Sequence, residues 1–118
     1  MHEISVLYEI VESAEKIAVE NGADRVAFIA LDVGRLSGML PYFFENYFPI
    51  VIENRPLFKE TELRITEEQG LGKCNDCGDT YDVRKHEGYC PNCKSRNKTI
   101  LSGNSLIIKE VGLEMPAE

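Results

Sequence analysis

The chain has 118 residues, of which 13 are Lys or Arg and 20 are Asp or Glu, so its formal net charge is -7. This length fits one ordinary domain, or a small core domain plus a metal-held module that is too small to bury a core of its own. The negative charge argues against nucleic acid as a partner, because phosphate backbones are bound by cationic side chains.

The sequence also argues against a membrane location. The N-terminus lacks a basic stretch followed by a continuous apolar run, and no later segment approaches the ~20 apolar residues needed to cross a bilayer. We therefore expect a cytoplasmic protein without a membrane partner. Paired thiols kept for a metal agree with a reducing compartment.

The N-terminal segment carries apolar residues at three- and four-residue spacing, with charged residues on the other side. This periodicity predicts an amphipathic helix that begins near Met1. The helix should end near Asn21-Gly22, because glycine adopts the left-handed cap conformation without penalty. Its predicted apolar face consists of Ile4, Leu7, Tyr8, Val11, Ala14, Ile17 and Ala18.

The next segment, from Val26 to Val33, is nearly all apolar and rich in residues that favour β structure. The run is too short to indicate a helix, and it is bounded by Asp24-Arg25 on one side and by Gly34 on the other. This pattern predicts a central strand.

A second amphipathic helix is predicted after the loop from Gly34 to Gly38, with Pro41 in its first turn. Pro49 removes a backbone hydrogen bond, so the helix either kinks near Glu45 or stops at Phe48, and we expect a kink. Its aromatic face is expected to be core rather than a ligand pocket, because large apolar groups at helical spacing usually bury against a sheet. That face consists of Leu40, Phe43, Phe44, Tyr47, Phe48 and Val51.

Two further strands are predicted, one around Leu63 and Ile65 and one from Leu106 to Val111. They can pair beside the first strand in a small three-stranded sheet covered by the two helices, which makes the fold class α+β. The segment with the cysteines lies between them and is therefore an insertion. We expect residues 1–69 and 101–118 to form an α/β domain and residues 70–100 to form a zinc-ribbon domain, with hinges at Gly70 to Gly72 and at Gly103.

All four cysteines lie in two CxxC pairs, Cys74 with Cys77 and Cys90 with Cys93, separated by twelve residues. Each pair is too close for both thiolates to lie on regular structure, so each forms a tight turn that directs two sulfurs to one centre. Four thiolates make a tetrahedral site suited to zinc and leave no position open for a substrate. The site is therefore predicted to be structural. A disulfide pair, a rubredoxin-like iron centre and a redox-active CxxC stay open as alternatives.

The second candidate metal ligand is His2, because of its position beside the N-terminus. The Met1 amine, the His2 amide nitrogen and the His2 imidazole can close adjacent chelate rings around one ion, and Glu3 can add a fourth donor through its amide or carboxylate. A planar nitrogen set selects nickel(II) or copper(II) over zinc. The alternative is that His2 only precedes the helix and contacts solvent.

The other reactive residues do not suggest a catalytic reaction. His86, between the two CxxC pairs, is expected to be a solvated loop residue. No segment resembles a nucleophile with its base or a glycine loop that binds phosphate.

Four segments together resemble the HypA/HybF family of nickel metallochaperones, which serve the maturation of NiFe-hydrogenase and, in some bacteria, urease. The segments are Met1 to Ser5, Leu31 to Ser37, the second CxxC pair with its Cys-Pro-Asn-Cys sequence, and Gly103 to Ile108. The resemblance covers essentially the whole chain, and a Met-His-Glu start combined with a four-cysteine ribbon is specific.

The resemblance implies a Ni(II) site at the N-terminus, formed by Met1, His2 and Glu3, and a structural Zn(II) site at the four cysteines. It implies no catalytic reaction. The implied partners are a HypB-type GTPase, the large subunit of NiFe-hydrogenase and, where urease is the client, urease maturation proteins. Both a monomer and a homodimer are compatible with the sequence.

This chain departs from some relatives at two places. Some relatives offer an acidic nickel donor in the loop before the second helix, where this chain has Gly38, Met39 and Leu40. Some follow their CxxC pairs with histidine, where this chain has Gly78 and Lys94. An exchange of cysteine for histidine at the zinc is therefore not expected here.

We interpret the chain as a metallochaperone that binds Ni(II) at its N-terminus and passes it on by ligand exchange. Two alternatives from other classes are a zinc-ribbon interaction module that uses no nickel and a rubredoxin-like electron carrier. An electron carrier with iron would be coloured, whereas a zinc protein is colourless. In an interaction module that uses no nickel, His2→Ala should leave the function intact.

Overall fold

The computed structural model describes residues 3–117, with side chains from residue 4 onward. Two helices and six strands make up its regular structure, together with a short 3-10 helix. In chain order these elements are α1 (Glu3–Glu20), β1 (Arg25–Gly34), α2 (Pro41–Val51), the 3-10 helix (Pro56–Phe58), β2 (Glu62–Glu68), β3 (Leu71–Cys74), β4 (Thr80–Asp82), β5 (Lys98–Ile100) and β6 (Leu106–Glu114).

The strands form two three-stranded sheets, in the orders β2-β1-β6 and β4-β3-β5. The predicted α+β class, with two helices, a small sheet and an inserted four-cysteine segment, is confirmed. The chain forms two compact units, the first in residues 1–32, 40–66 and 107–118 and the second in residues 33–39 and 67–106. The second unit thus includes Val33–Met39, the segment between β1 and α2. The domain limits expected from the sequence, at residues 70 and 100, stay a prediction.

Helix α1 presents a continuous apolar stripe to the core of the first unit. The stripe is rotated from the predicted face, since Tyr8 and Ile17 are each 39% exposed. The residues that α1 buries are Val6, Leu7, Ile10, Val11, Ala14 and Ala18. Spacing alone predicted the helix, and packing selected which of its apolar residues are buried.

The end of α1 is a Schellman cap. Gly22 has a φ of 67°, in the left-handed region that favours glycine. Its N–H donates to the Val19 carbonyl at 3.1 Å, and the Ala23 N–H donates to the Ala18 carbonyl at 2.9 Å. The two bonds satisfy carbonyls that have no partner within the helix, and the predicted end of the helix is confirmed.

Strand β1 lies at the centre of its sheet, and its hydrogen bonds give the directions of its neighbours. The N–H of Asp24 donates to Glu114 at 2.8 Å and that of Gly34 donates to Ser105 at 2.9 Å, so β6 runs antiparallel to β1. The start of β1 lies near Thr61, whose hydroxyl donates to Val26, and its end lies near Glu68. Strand β2 is therefore parallel to β1, and α2 belongs to the crossover that a parallel pair requires.

Helix α2 begins at Pro41, as predicted, and continues through Pro49 to Val51. It does not stop at Phe48, although Pro49 has no N–H to donate to the Glu45 carbonyl. The expected kink near Glu45 stays a prediction. The expectation that the whole aromatic face is core is wrong. Phe44, Phe48 and Val51 are buried, whereas Leu40 is 46% and Tyr47 36% exposed.

Glycines allow three segments of the second unit to approach one another closely. A Cβ at Gly34 would collide with the carbonyl oxygen of Gly103, and a Cβ at Gly70 would collide with the side chain of Leu36. The N–H of Leu36 donates to Gly103 at 2.7 Å. The segments expected to be hinges are therefore packed and hydrogen-bonded, and their glycines provide space for backbone contact.

We expect Gly34→Ala to lower the free energy of unfolding by about 2–3 kcal/mol, because the new methyl group forces backbone to move. Gly22→Ala is the control, since a Cβ there meets only open space and the positive φ costs about 1 kcal/mol. Urea denaturation followed by circular dichroism measures both. Equal losses in the two variants would contradict the close approach of Gly34 and Gly103.

Candidate metal centre

The four cysteines converge on one point. Their sulfur atoms all lie within 4.8 Å of one another. Two contacts between the pairs are 3.5 Å long, one between the sulfurs of Cys74 and Cys93 and one between those of Cys77 and Cys90. A tetrahedral zinc ion with Zn–S bonds of about 2.3 Å needs sulfurs about 3.8 Å apart. The donor set and its spacing therefore fit zinc.

Each CxxC pair lies in a turn of the same design, which we call a knuckle. In both knuckles the carbonyl of the first cysteine accepts a bond from the N–H four residues later, and its own N–H donates to the carbonyl five residues later. The bonds are Gly78 to Cys74, Cys74 to Asp79, Lys94 to Cys90 and Cys90 to Ser95, all between 2.8 and 2.9 Å. This backbone arrangement directs both sulfurs of a pair to the same side.

The residue after each second cysteine adopts the left-handed conformation, with φ at 85° for Gly78 and 66° for Lys94. Glycine accepts this conformation freely, whereas another residue loses roughly 1–2 kcal/mol. The second knuckle therefore holds strain that the first does not, and the contacts around it must maintain the turn.

The pKa values of two neighbouring thiols in this cluster shift in opposite directions. The pKa of Cys74 falls to about 7, chiefly because the Cys77 N–H stabilises its thiolate and despite its burial. The Ser95 N–H lowers the pKa of Cys93, but the neighbouring Cys74 thiol and burial outweigh it and raise this pKa to about 12. The charge of one thiolate disfavours ionisation of a neighbouring thiol, and a bound divalent cation would offset that repulsion.

Cys74 and Cys90 are buried in an apolar cluster with Tyr81 and Val83, and Cys77 and Cys93 face solvent. Burial and the nearby thiols raise the pKa of Tyr81, whose hydroxyl donates to the Gly88 carbonyl at 3.3 Å. Half of the donor set is thus shielded from water, and the other half is accessible to it.

Sequence reasoning identified none of the apolar residues around the cysteines, and Leu36 is the one that comes from outside the cysteine segment. Its side chain packs against the cluster that contains Cys74 and Cys90, although it lies between β1 and α2, far from the cysteines in the chain. The sequence offers only a weak indication of this contact, which is that Leu36 is apolar within the otherwise turn-like segment Gly34 to Gly38. Its contact makes this segment part of the environment of the cysteines.

The side chains of the other predicted metal ligands lie outside the part of the chain that the structure describes. Met1 and His2 lie outside the described residues. Glu3 is the first residue of α1, and its side chain is outside the description. The ring of His86 lies edge-on to Tyr81, with 6.1 Å between ring centroids. His86 is half-buried rather than fully solvated as expected.

None of the helices within residues 3–117 combines the length and the apolar character that a membrane span requires. The longest helix, α1, has 18 residues and carries charged side chains along its outer side.

A protein-family model described as hydrogenase/urease nickel incorporation, metallochaperone, hypA matches residues 1–113. The chain belongs to the HypA family. A hydrogenase maturation factor HypA from Chlorobium luteolum is 32% identical over 118 residues, which is 100% of both chains. One from Geobacter metallireducens is 34% identical over 114 residues, or 97% of this chain and 100% of the relative.

The fold is also similar to that of a HypA protein of known structure. The solution structure of the Ni metallochaperone HypA from Helicobacter pylori has a TM-score of 0.69 and 26% sequence identity, and the match covers 98% of this chain and 100% of that one. The family match over residues 1–113 does not favour a rubredoxin-like carrier or a ribbon without nickel.

Removal of metal by a chelator should open the second unit, because bound cation is what holds four thiolates together. From the sequence alone, the segment expected to unfold on loss of the metal is residues 73–98. The contact of Leu36 extends the expected loss of amide protection to residues 35–37, while α1 keeps its protection. Hydrogen exchange followed by NMR measures this. Unchanged exchange at Leu36 would contradict the coupling, and simultaneous loss in α1 would contradict separate stability of the two units.

Asp82 anchors the end of β4 and gives a prediction on pH. Its carboxylate accepts the Lys85 N–H at 2.8 Å and the Gln69 side-chain amide at 2.9 Å, and these bonds lower its pKa below 3.8. A depressed folded-state pKa stabilises the fold above the unfolded pKa and loses this effect only as the pH falls through the folded value.

Asp82→Asn should therefore destabilise the protein by the same amount at pH 7 and at pH 5, since the carboxylate is charged at both. Urea denaturation at the two pH values measures the difference, with the exposed Asp79→Asn as the control. If Asp82→Asn costs less stability at pH 5 than at pH 7, the pKa of Asp82 is raised in the folded protein instead.

Proposed function

We propose that this chain is a nickel metallochaperone that carries Ni(II) for the assembly of the NiFe-hydrogenase active site. The observation that carries the proposal is the four-thiol tetrahedron in a chain that the nickel-incorporation family model matches from residue 1 to residue 113. The family covers nickel incorporation into hydrogenase and urease, so either enzyme is a client compatible with the match. The protein transfers its cargo and catalyses no reaction.

The zinc in this proposal is structural and is held by Cys74, Cys77, Cys90 and Cys93. Four thiolates complete the coordination of the ion, so no position is open for water, nickel or substrate. The ion supplies the positive charge that the thiolates need in order to ionise together. The backbone amides of the knuckles orient the sulfurs. The side chains of Leu36, Tyr81 and Val83 exclude water from the sulfurs of Cys74 and Cys90.

Because the thiol site is saturated, the nickel site must use other donors, and we assign it to the N-terminus. The proposed ligands are the Met1 amine, the His2 amide and imidazole, and Glu3. The sequence start Met-His-Glu supports this assignment through the chelate rings that it can close around a planar ion. Nickel must displace protons from these nitrogens, so its affinity should fall as the pH drops below the histidine range.

Transfer requires partners, and we propose a HypB-type GTPase and the large subunit of NiFe-hydrogenase, with urease maturation proteins where urease is the client. A site made from the chain terminus suits transfer. Each nitrogen can be exchanged for a donor of the recipient in turn, and no buried contact of residues 4–117 needs to open.

Titration of Ni(II) into the zinc-loaded protein with a native N-terminus tests the assignment. His2→Ala and a version with one added N-terminal residue should each weaken binding by more than about tenfold, or about 1.4 kcal/mol, because each removes a chelate ring. Calorimetry gives the affinity and the visible absorption of planar nickel reports the geometry.

His86→Ala is the matched control and should bind nickel as the parent does, because His86 lies against Tyr81 in the second unit. Zinc content near one equivalent in every variant, measured by mass spectrometry, verifies that the ribbon is intact. Equal nickel affinity in the parent, His2→Ala and the extended protein would refute the N-terminal site.

A further inference from the structure

Helix α2 has an unusually apolar outer surface for a helix at the exterior of a small unit. Its sequence, Pro-Tyr-Phe-Phe-Glu-Asn-Tyr-Phe-Pro-Ile-Val, contains a single charged residue, Glu45. Tyr42 is 60% exposed and Ile50 is 53% exposed. Scattered apolar residues on a surface are normal, but a set aligned along one helix marks an interaction site.

Four apolar residues form a second stripe beside the buried one, of which three are exposed and Phe43 is half-buried. Leu40, Phe43, Tyr47 and Ile50 follow one another at spacings of three, four and three residues, which places them along one side of the helix. The rings of Phe43 and Tyr47 stack with their centroids 4.4 Å apart. We call this set the α2 stripe. The core-facing stripe, Phe44, Phe48 and Val51, already anchors the helix, so the α2 stripe is not needed for that purpose.

The charge around the α2 stripe selects the kind of molecule that can cover it. The first unit carries 14 acidic and 6 basic residues, a net charge of -8, whereas the second carries 6 acidic and 7 basic residues. From Leu40 to Glu53 the only charged residues are Glu45 and Glu53. A second copy of the chain would bring two strongly negative units together, and like charges disfavour that contact.

We propose that the α2 stripe is the docking surface for an amphipathic helix of a partner protein, one that carries an apolar face flanked by Lys or Arg. The stripe spans ten residues of helix, or roughly 15 Å, which about three turns of a partner helix cover. The apolar contacts supply affinity, and the basic flanks supply attraction to the acidic unit. This inference rests on the surface of α2 and does not depend on the nickel site.

The test uses three synthetic peptides of about four helical turns and the zinc-loaded full chain. The first peptide has Leu at helical spacing flanked by Lys, the second has Glu in place of each Lys, and the third is a scrambled form of the first. Fluorescence anisotropy gives the affinity, and NMR shifts of labelled protein give the location. We expect the Lys peptide to bind on α2 and the other two to bind at least about tenfold more weakly.

The variants Ile50→Ser and Tyr47→Ser should each weaken binding of the Lys peptide by about tenfold or more. Ile107→Ser is the matched control, because Ile107 is 50% exposed in the same unit but lies on β6. It should change the affinity by less than about twofold. Circular dichroism, zinc content and nickel affinity should be the same in all variants, so a failure here is distinct from a failure of the nickel site.

Three outcomes would overturn the proposal. Equal binding of the Lys peptide to the parent, Ile50→Ser and Tyr47→Ser would mean that attraction is only to the general negative charge. Self-association in sedimentation that Ile50→Ser abolishes would make a second copy the occupant. Binding to vesicles of phosphatidylcholine and phosphatidylserine that Ile50→Ser abolishes would make it a lipid surface.

Discussion

Repulsion among four neighbouring thiolates is the constraint on which the second unit depends. Thiolates within 4.8 Å of one another repel, and the neighbouring Cys74 thiol raises the pKa of Cys93 while that of Cys74 is lowered. A divalent cation would offset the negative charge of the thiolates and bind all four sulfurs at once. The two knuckles, the strained backbone at Lys94 and the small sheet β4-β3-β5 are all arranged so that the sulfurs meet at one point.

The constraint reaches beyond the segment that holds the cysteines. Leu36 contributes to the apolar cluster that covers Cys74 and Cys90, and the close approach of Gly34 to Gly103 holds its segment in place. The chain continues from this segment directly into α2. A change in the packing of the thiol cluster therefore acts on the connection between β1 and α2 through contacts within the second unit, and no free hinge is needed.

The sequence predicted features that depend on local pattern. Glycine at position 22 predicted the end of α1, and the spacing of the cysteines predicted their convergence, since both depend on a few neighbouring residues. It could not predict the role of Leu36, which depends on a contact between segments distant in the chain. Gly70 and Gly103 suggested flexibility because glycine serves both mobile segments and close backbone approach, and only the surroundings distinguish the two uses. Periodicity likewise grouped the apolar residues of α2 but could not show which of them are buried and which are exposed.

The proposed zinc site lies in the second unit, whereas the excess of acidic residues lies in the first unit. In the proposed function, four thiolates complete the coordination of the zinc ion, so a transferable ion would bind elsewhere. A net charge of -8 raises the local concentration of divalent cations and attracts basic partner surfaces over roughly the 8 Å that physiological salt allows. Nickel uptake at the N-terminus and docking on the α2 stripe would then draw on the same field through different residues. Salt should weaken both interactions, but loss of Ile50 should weaken only docking, because the ion has no use for apolar surface.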